Sequence, residues 1–311
     1  MKLTIVQMMV LGIGSSSTQP TRIPLAVECY DRMTVAVRNN PPHLIQLTPD
    51  SYSDTPTHRY RAASYSQVHL SLLTESNTWL EYESYNHHLS NFGNGRSSIG
   101  IGPGSSLVTQ FGSTSLVRWW ANQTSGDRAA ALVTGTNESE FISHFCIACS
   151  PISIPVQYVR NYGYTLASVG AQVSILAGHS SAPLRAIISA NKQLMRLPVS
   201  LLQQIHAYME GNLSVDLITR TFYFTNCSAI RATLPAISVS FTNEANSVLG
   251  IIVVHPDEYT RPANDALNND RCELLITSSG GADMFINLLM IPDINIRSGN
   301  RQITICDSLD F

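Results

Sequence analysis

The chain has 311 residues, of which 44% are hydrophobic and only 13% charged, with a net charge of −3. That is enough apolar material for two lobes with real cores, while the charged share is about half the usual ~25% of a soluble domain. Such a surface exerts no long-range pull on phosphate backbones or anionic lipids, which argues against a nucleic-acid partner; no apolar run reaches the roughly 18 residues of an integral membrane segment.

Residues 1–17, MKLTIVQMMVLGIGSSS, read in two ways: as the first strand of the fold, or as a short signal peptide with Lys2 as its positive end. We take the strand reading. Further on, RMTVAV, YTLASVGAQVSIL, SVDLITRTFYF, AISVSF and NSVLGIIVV are rich in Val, Ile, Thr and Tyr, with apolar residues recurring mostly at a period of two. The chain is therefore expected to be all-β. Leu116 to Trp120 is a weak helical candidate, whereas Val199, Leu202, Ile205 and Met209 behind Pro198 follow a three-to-four spacing that predicts a helix with proline in its first turn. A strand, a glycine-containing turn and a second strand occur near residues 10–37 and again near 164–198. SPISIP interrupts the pattern between them, which divides the chain into an N-terminal β lobe, 1–155, and a C-terminal β lobe, 156–311.

Six cysteines, at 29, 146, 149, 227, 272 and 306, leave their pairing open on sequence alone. Asn-x-Ser/Thr acceptors stand at Asn122, Asn137, Asn212 and Asn226, none with proline in the middle. Together these features point to the oxidising secretory pathway and a secreted or extracellular protein.

AIISANKQLMRLP (Ala186 to Pro198) resembles the second active-site strand of the pepsin-like (A1) aspartic peptidases, Ala-Ile-Val-Asp-Ser/Thr-Gly followed by Leu-Arg-Leu-Pro. LPVSLLQQIHAYM is similar to the family's next helix. Cys227, LPAISVSF, HPDEYTR and Cys272 stand in the order of its disulfide-closed stretch, and GADMFINLLMIPDINIRSGNRQITIC is similar to its closing segment. In the first half the likeness rests on Gly12-Ile13-Gly14 with Gln19, on PLAVECYDRMTVAV at the first active-site strand, on SIGIGPGSSLVTQFG and on ALVTGTNESEF. The resemblance implies a bilobal pepsin-like fold of two β-rich lobes with a few short helices, a Cys227–Cys272 disulfide, and a tie from Cys146 or Cys149 to Cys306. Cys29 is then the expected free thiol.

The same resemblance denies the activity. Two carboxylates sharing one proton activate water in that family, but Glu28 and Ser189 occupy the two positions, and a serine supplies no carboxylate. Tyr30 and Asn191 replace glycines, Cys29 and Ala190 replace hydroxyl residues, and the flap-like stretch VHLSLLTESNTWLEYESYNHHLSNFG has no glycine in its central turn. Tyr30, Asp31, Asn191 and Lys192 are the remaining cleft candidates.

Other constellations have plainer readings. His144-x-Cys146-x-x-Cys149 could ligate zinc, but lacks a second ligand pair, so no metal and no cofactor is expected. His87 and His88 read as solvated surface. The loop at Gly100 lacks the lysine of a phosphate cradle, and Ser189 with Lys192 lacks the oxyanion hole of a Ser-Lys nucleophile. Trp119 and Trp120 read as core or groove wall. The expectation is thus an inactive peptidase homologue that binds a protein or peptide or serves in an extracellular or ciliary assembly. A residual hydrolase using Glu28 or Asp31 is one alternative. An unrelated all-β shell protein, without the helix after Pro198 and without the Cys227–Cys272 bridge, is the other.

Overall fold

The structure, a computed structural model, describes residues 20–28, 32–38, 43–48, 67–85, 98–122, 127–146, 151–161, 164–176, 179–188, 193–209, 211–217, 221–263 and 270–307. The first half runs β1 (Thr21–Glu28), β2 (Arg32–Val37), β3 (His43–Thr48), β4 (Gln67–Leu73), β5 (Trp79–Tyr85), β6 (Ser98–Gly100), α1 (Ser106–Phe111), β7 (Thr114–Asn122), β8 (Asp127–Thr134), α2 (Glu138–Phe145) and β9 (Ile152–Pro155). The second half continues with β10 (Gln157–Asn161), β11 (Tyr164–Leu176), β12 (His179–Ser180), β13 (Leu184–Ile188), β14 (Met195–Leu197), α3 (Val199–Ala207), β15 (Leu213–Asp216), β16 (Thr221–Thr225) and α4 (Cys227–Thr233). It ends with β17 (Ile237–Thr242), β18 (Val248–Val254), α5 (Pro256–Tyr259), β19 (Thr260–Pro262), β20 (Arg271–Leu274), β21 (Ile276–Ser278), β22 (Met284–Ile286), a 3-10 turn at Leu288–Met290, β23 (Ile294–Ser298) and β24 (Gln302–Asp307).

The alternation read from the sequence builds the second sheet. In β11, Val169, Ala171, Val173 and Ile175 are buried while Gly170, Gln172 and Ser174 alternate with them; in β17, Ile237, Val239 and Phe241 face the same core. The helix after Pro198 forms as expected, burying Leu201, Leu202 and Ile205, although Val199 is turned to solvent. Two expectations need correction. Leu116 to Trp120 is not helical but the middle of β7, where Leu116, Val117 and Arg118 are all buried because both faces of this strand are covered, which erases the period-two signal. SVDLITRTFYF is two strands rather than one, with β15 and β16 paired antiparallel from Leu213↔Phe224 to Asp216↔Thr221.

Among the described residues, eleven strands form the first sheet, with the path β5-β4-β2-β1-β8-β7-β23-β24-β9 and β3 and β6 off it; nine form the second and four, β15-β16-β20-β19, a third. The expected lobe boundary at 155/156 falls between β9 and β10. The C-terminal strands nevertheless return to the first sheet, where β23 pairs with β7 and β24 with β9.

That return is held chemically. The Arg118 guanidinium is buried and donates to the carbonyls of Leu289 (2.6 Å) and Ile291, while the Arg118 backbone N–H donates to Asn295 Oδ1 (2.7 Å) and Asn295 Nδ2 to the Phe145 carbonyl (2.7 Å). Cys146 is bonded to Cys306. The Glu138 carboxylate accepts from Ser153 Oγ, from Gln302 Nε2 at 2.8 Å and from Thr304 Oγ1 at 2.9 Å, joining α2 to β9 and β24. On the other side of the sheet contact, Gly250 of β18 lies against Ile152 of β9, so close that a Cβ at Gly250 would sit 2.5 Å from Ile152 Cγ1. Only glycine fits there.

Two tests follow from this framework. The Ser153 hydroxyl, with Thr304, Gln302 and the nearby Arg297 charge, holds the Glu138 carboxyl below its ordinary value of 4.5 against the opposing effect of burial. Its contribution is therefore present above about pH 4.5 and is lost as pH falls through the lower folded value. Glu138→Gln should lower the Tm at neutral pH, and the gap to the parent should close on acidification; a gap constant over the acid limb would refute this. Cys227 is bonded to Cys272, as the family resemblance implies, and replacing both by Ala should cost roughly 2 to 4 kcal/mol in urea unfolding.

Candidate functional site

β13 and β14 are consecutive in the chain but do not pair with each other. β22 lies between them, parallel to β13 (Ala186↔Met284 to Ile188↔Ile286) and antiparallel to β14 (Met195↔Ile286, Arg196↔Phe285). The Leu194 backbone is bonded on both sides, its N–H to the Leu275 carbonyl (2.9 Å) and its carbonyl to the Asn287 N–H (2.8 Å). Apolar burial fixes the three strands: Ala186, Ile187, Ile188, Met195, Leu197, Met284 and Ile286 are all closed to solvent. Arg185 of β13 forms a bidentate pair with Asp283 just ahead of β22, Nε to Oδ1 at 3.2 Å and Nη2 to Oδ2 at 2.6 Å. Arg196 lies over the Phe285 ring at 5.0 Å.

The connection from β13 to β14 carries Ser189, Ala190, Asn191 and Lys192, which lie outside the described residues, as do Cys29, Tyr30 and Asp31. Glu28 is the last residue of β1, paired with Arg32 across the β1–β2 hairpin. This corrects the alignment of the first half. In the second half, β10 pairs antiparallel with β11, β11 with β13, and β13 runs parallel to β22. The first half repeats that order as β1 with β2, β2 with β3, and β3 parallel to β6 (Gln46↔Ser98 to Thr48↔Gly100). The counterpart of β13 is therefore β3, and Glu28 ends the counterpart of β10. The described part of the internal echo spans Thr21 to Gly100; residues 1–19, expected to hold a first strand, lie outside the description, as do His87 and His88.

The flap-like stretch is a hairpin of β4 and β5, in register from Gln67↔Tyr85 to Leu73↔Trp79. It turns without glycine because Asn77 takes the left-handed conformation (φ 60°), and the Thr74 hydroxyl bonds the Thr78 carbonyl at 3.0 Å. The zinc reading of His144, Cys146 and Cys149 fails at Cys146, whose sulfur is bonded to Cys306 and so is no thiolate ligand. His144 Nδ1 meets the Glu140 carbonyl at 2.8 Å at the end of α2; Cys149 is outside the described residues.

A cavity of about 260 Å³ lies on the α2 side of the first sheet, lined by Arg22, Trp119, His144, Phe145 and Asn295 among others. The Arg22 guanidinium stacks 4.6 Å over Trp119 and pairs with Glu75 at 3.0 Å. Sequence reasoning missed this group, since Arg22 and Trp119 are far apart in the chain and meet only through the β1–β8–β7 ladder. Of the glycan acceptors, Asn137 caps α2 in a reciprocal box with Glu140, Asn122 ends β7, and Asn212 and Asn226 stand at one end of the β15–β16 hairpin.

Among 229 solved chains similar in structure is the aspartic proteinase from Irpex lacteus, which aligns over 93% of this chain and 97% of its own with a TM-score of 0.59 and 12% identity. The chain has the pepsin-like aspartic-proteinase fold. No family model and no curated protein sequence matches it.

Proposed function

We propose that this chain is a catalytically inactive protein of pepsin-like fold that binds a protein or peptide partner in the secretory pathway or outside the cell. One observation carries the reading: the connection that β13 and β14 flank, around the inserted β22, is Ser189-Ala190-Asn191-Lys192-Gln193-Leu194 and contains no acidic residue. A shared-proton dyad needs a carboxylate from each lobe, and this connection supplies none. Glu28, at the end of a hairpin strand, is not the partner such a dyad would use.

A binding role is supported by β18. Among the described strands it is an edge of the second sheet, its outward residues Leu249, Ile251 and Val253 are 37%, 52% and 46% exposed, and no charge or proline stands between Val248 and Val254. Natural edges are usually guarded by such residues. An uncharged, extended segment of a partner protein, apolar at alternate positions, suits this edge. The two disulfides favour an oxidising compartment.

The test of inactivity is a peptidase assay across roughly pH 3 to 7, where a carboxylate dyad titrates, with and without pepstatin. The parent chain and Ser189→Asp should both lack pepstatin-sensitive turnover. Measurable sensitive turnover in the parent would overturn the proposal, and its appearance in Ser189→Asp alone would show that only one group is missing.

A further inference from the structure

Asn212 and Asn226 are neighbours across the β15–β16 hairpin: the Thr225 N–H donates to the Asn212 carbonyl at 3.3 Å, and Thr225 Oγ1 meets Asn212 Oδ1 at 3.4 Å. Their surroundings differ sharply. Asn212 is half-buried with its side-chain oxygen engaged, and the hydroxyl of its acceptor triplet, Ser214 Oγ, donates to the Tyr223 carbonyl at 3.3 Å. Asn226 is exposed, stands in the left-handed region (φ 56°, ψ 46°) before α4, and makes no capping bond with its side chain; Ser228 of its triplet is exposed as well. The middle residue of that triplet, Cys227, is bonded to Cys272.

We propose that Asn226 is an N-glycan acceptor whose sugar is attached before Cys227 closes onto Cys272, and that the folded chain carries none on Asn212. The inference rests on the secretory reading above. The transferase acts on an extended chain, so the fold decides which attached sugar can be housed afterwards. At Asn226 the sugar points into solvent. At Asn212 it would have to leave from the nitrogen of a half-buried amide whose oxygen accepts from Thr225 Oγ1 at 3.4 Å.

The chemistry balances with a lipid-pyrophosphate-linked oligosaccharide as donor. Asn226 Nδ2 forms a bond to the anomeric carbon as the carbon–oxygen bond to pyrophosphate breaks; the lipid pyrophosphate leaves with that electron pair, and the amide proton passes to a base on the transferase. Timing favours the sugar. Cys272 lies 45 residues beyond Cys227, a delay of roughly 2 to 9 s at the usual ~5–20 residues per second of synthesis, and protein disulfides form in seconds to hours. The Asn-Cys-Ser triplet is therefore presented open.

The full chain, directed into a eukaryotic secretory pathway behind a cleavable leader, is treated with peptide-N-glycosidase in heavy-oxygen water and its peptides are mapped. Asn226 should be recovered as labelled Asp and Asn212 as unlabelled Asn in the pool that retains the Cys227–Cys272 bond. Unlabelled Asn226, or labelled Asn212, in that pool overturns the assignment. Cys272→Ser keeps the triplet and removes the bond, and its occupancy at Asn226, read on both the secreted and the cell-retained protein, should equal that of the parent. A rise in the variant would mean that the disulfide competes, overturning the order of events. Protein from its native source that is bare at Asn226, when the redirected chain is labelled, would defeat the compartment reading and leave the acceptor standing.

Discussion

The buried guanidinium of Arg118 is the interaction on which the first sheet depends. A cation removed from water is tolerable only when its donors are met, and here the acceptors are main-chain carbonyls at Leu289 and Ile291, just ahead of β23. Those carbonyls stand just ahead of the last two strands, so satisfying the charge places β23 beside β7, with β24 between β23 and β9. Asn295 completes the junction by accepting from the Arg118 backbone and donating to Phe145 at the end of α2. Cys146–Cys306 and Glu138 then fasten the same strands from the helix side. Helix, disulfide and charge all secure one crossing.

The second sheet is organised by the insertion of β22 between β13 and β14. A connection between two strands that cannot pair with each other has to bridge the strand between them, and its ends are held by a closed apolar core. Such a frame presents whatever residues the connection carries. In this chain it carries amides, a lysine and a serine where an acid–base pair would need a carboxylate. Frame and chemistry are separable, as fold and function are generally.

Much of the second half was legible because its strands expose one face. β11 and β17 alternate cleanly, α3 keeps a helical spacing, and the order of Cys227, LPAISVSF and Cys272 matched the bridge that forms. The first half hid more. β7 is covered on both faces, so its run of buried residues carried no period. PLAVECYDRMTVAV, which puts Glu28 at the acid position, resembles an active-site strand by its place in the chain order, yet order and apolar character do not distinguish β1 from β3; the parallel pairing of β3 with β6 does. The return of β24 was announced only by the expected tie of Cys306 to Cys146 or Cys149; its strand partners and those of β23 were not, since a strand sequence does not name its neighbour, and Arg118 N and Asn295 Oδ1 meet at a separation of 177.

The meeting of Gly250 and Ile152 bears on how the two sheets can move. Packed layers rearrange either by small sliding displacements or by rotation about a few residues. Sliding needs surfaces that ride over one another, and a branched side chain seated against bare backbone, with no Cβ to yield, is a knob in a socket. Displacing β18 along β9 by two residues, to the next position on the same face, would carry Ile152 onto the Ile252 side chain, at the steric cost the glycine now avoids. The contact therefore opposes sliding of β18 along β9 and leaves rotation about it as the displacement that disturbs the packing least.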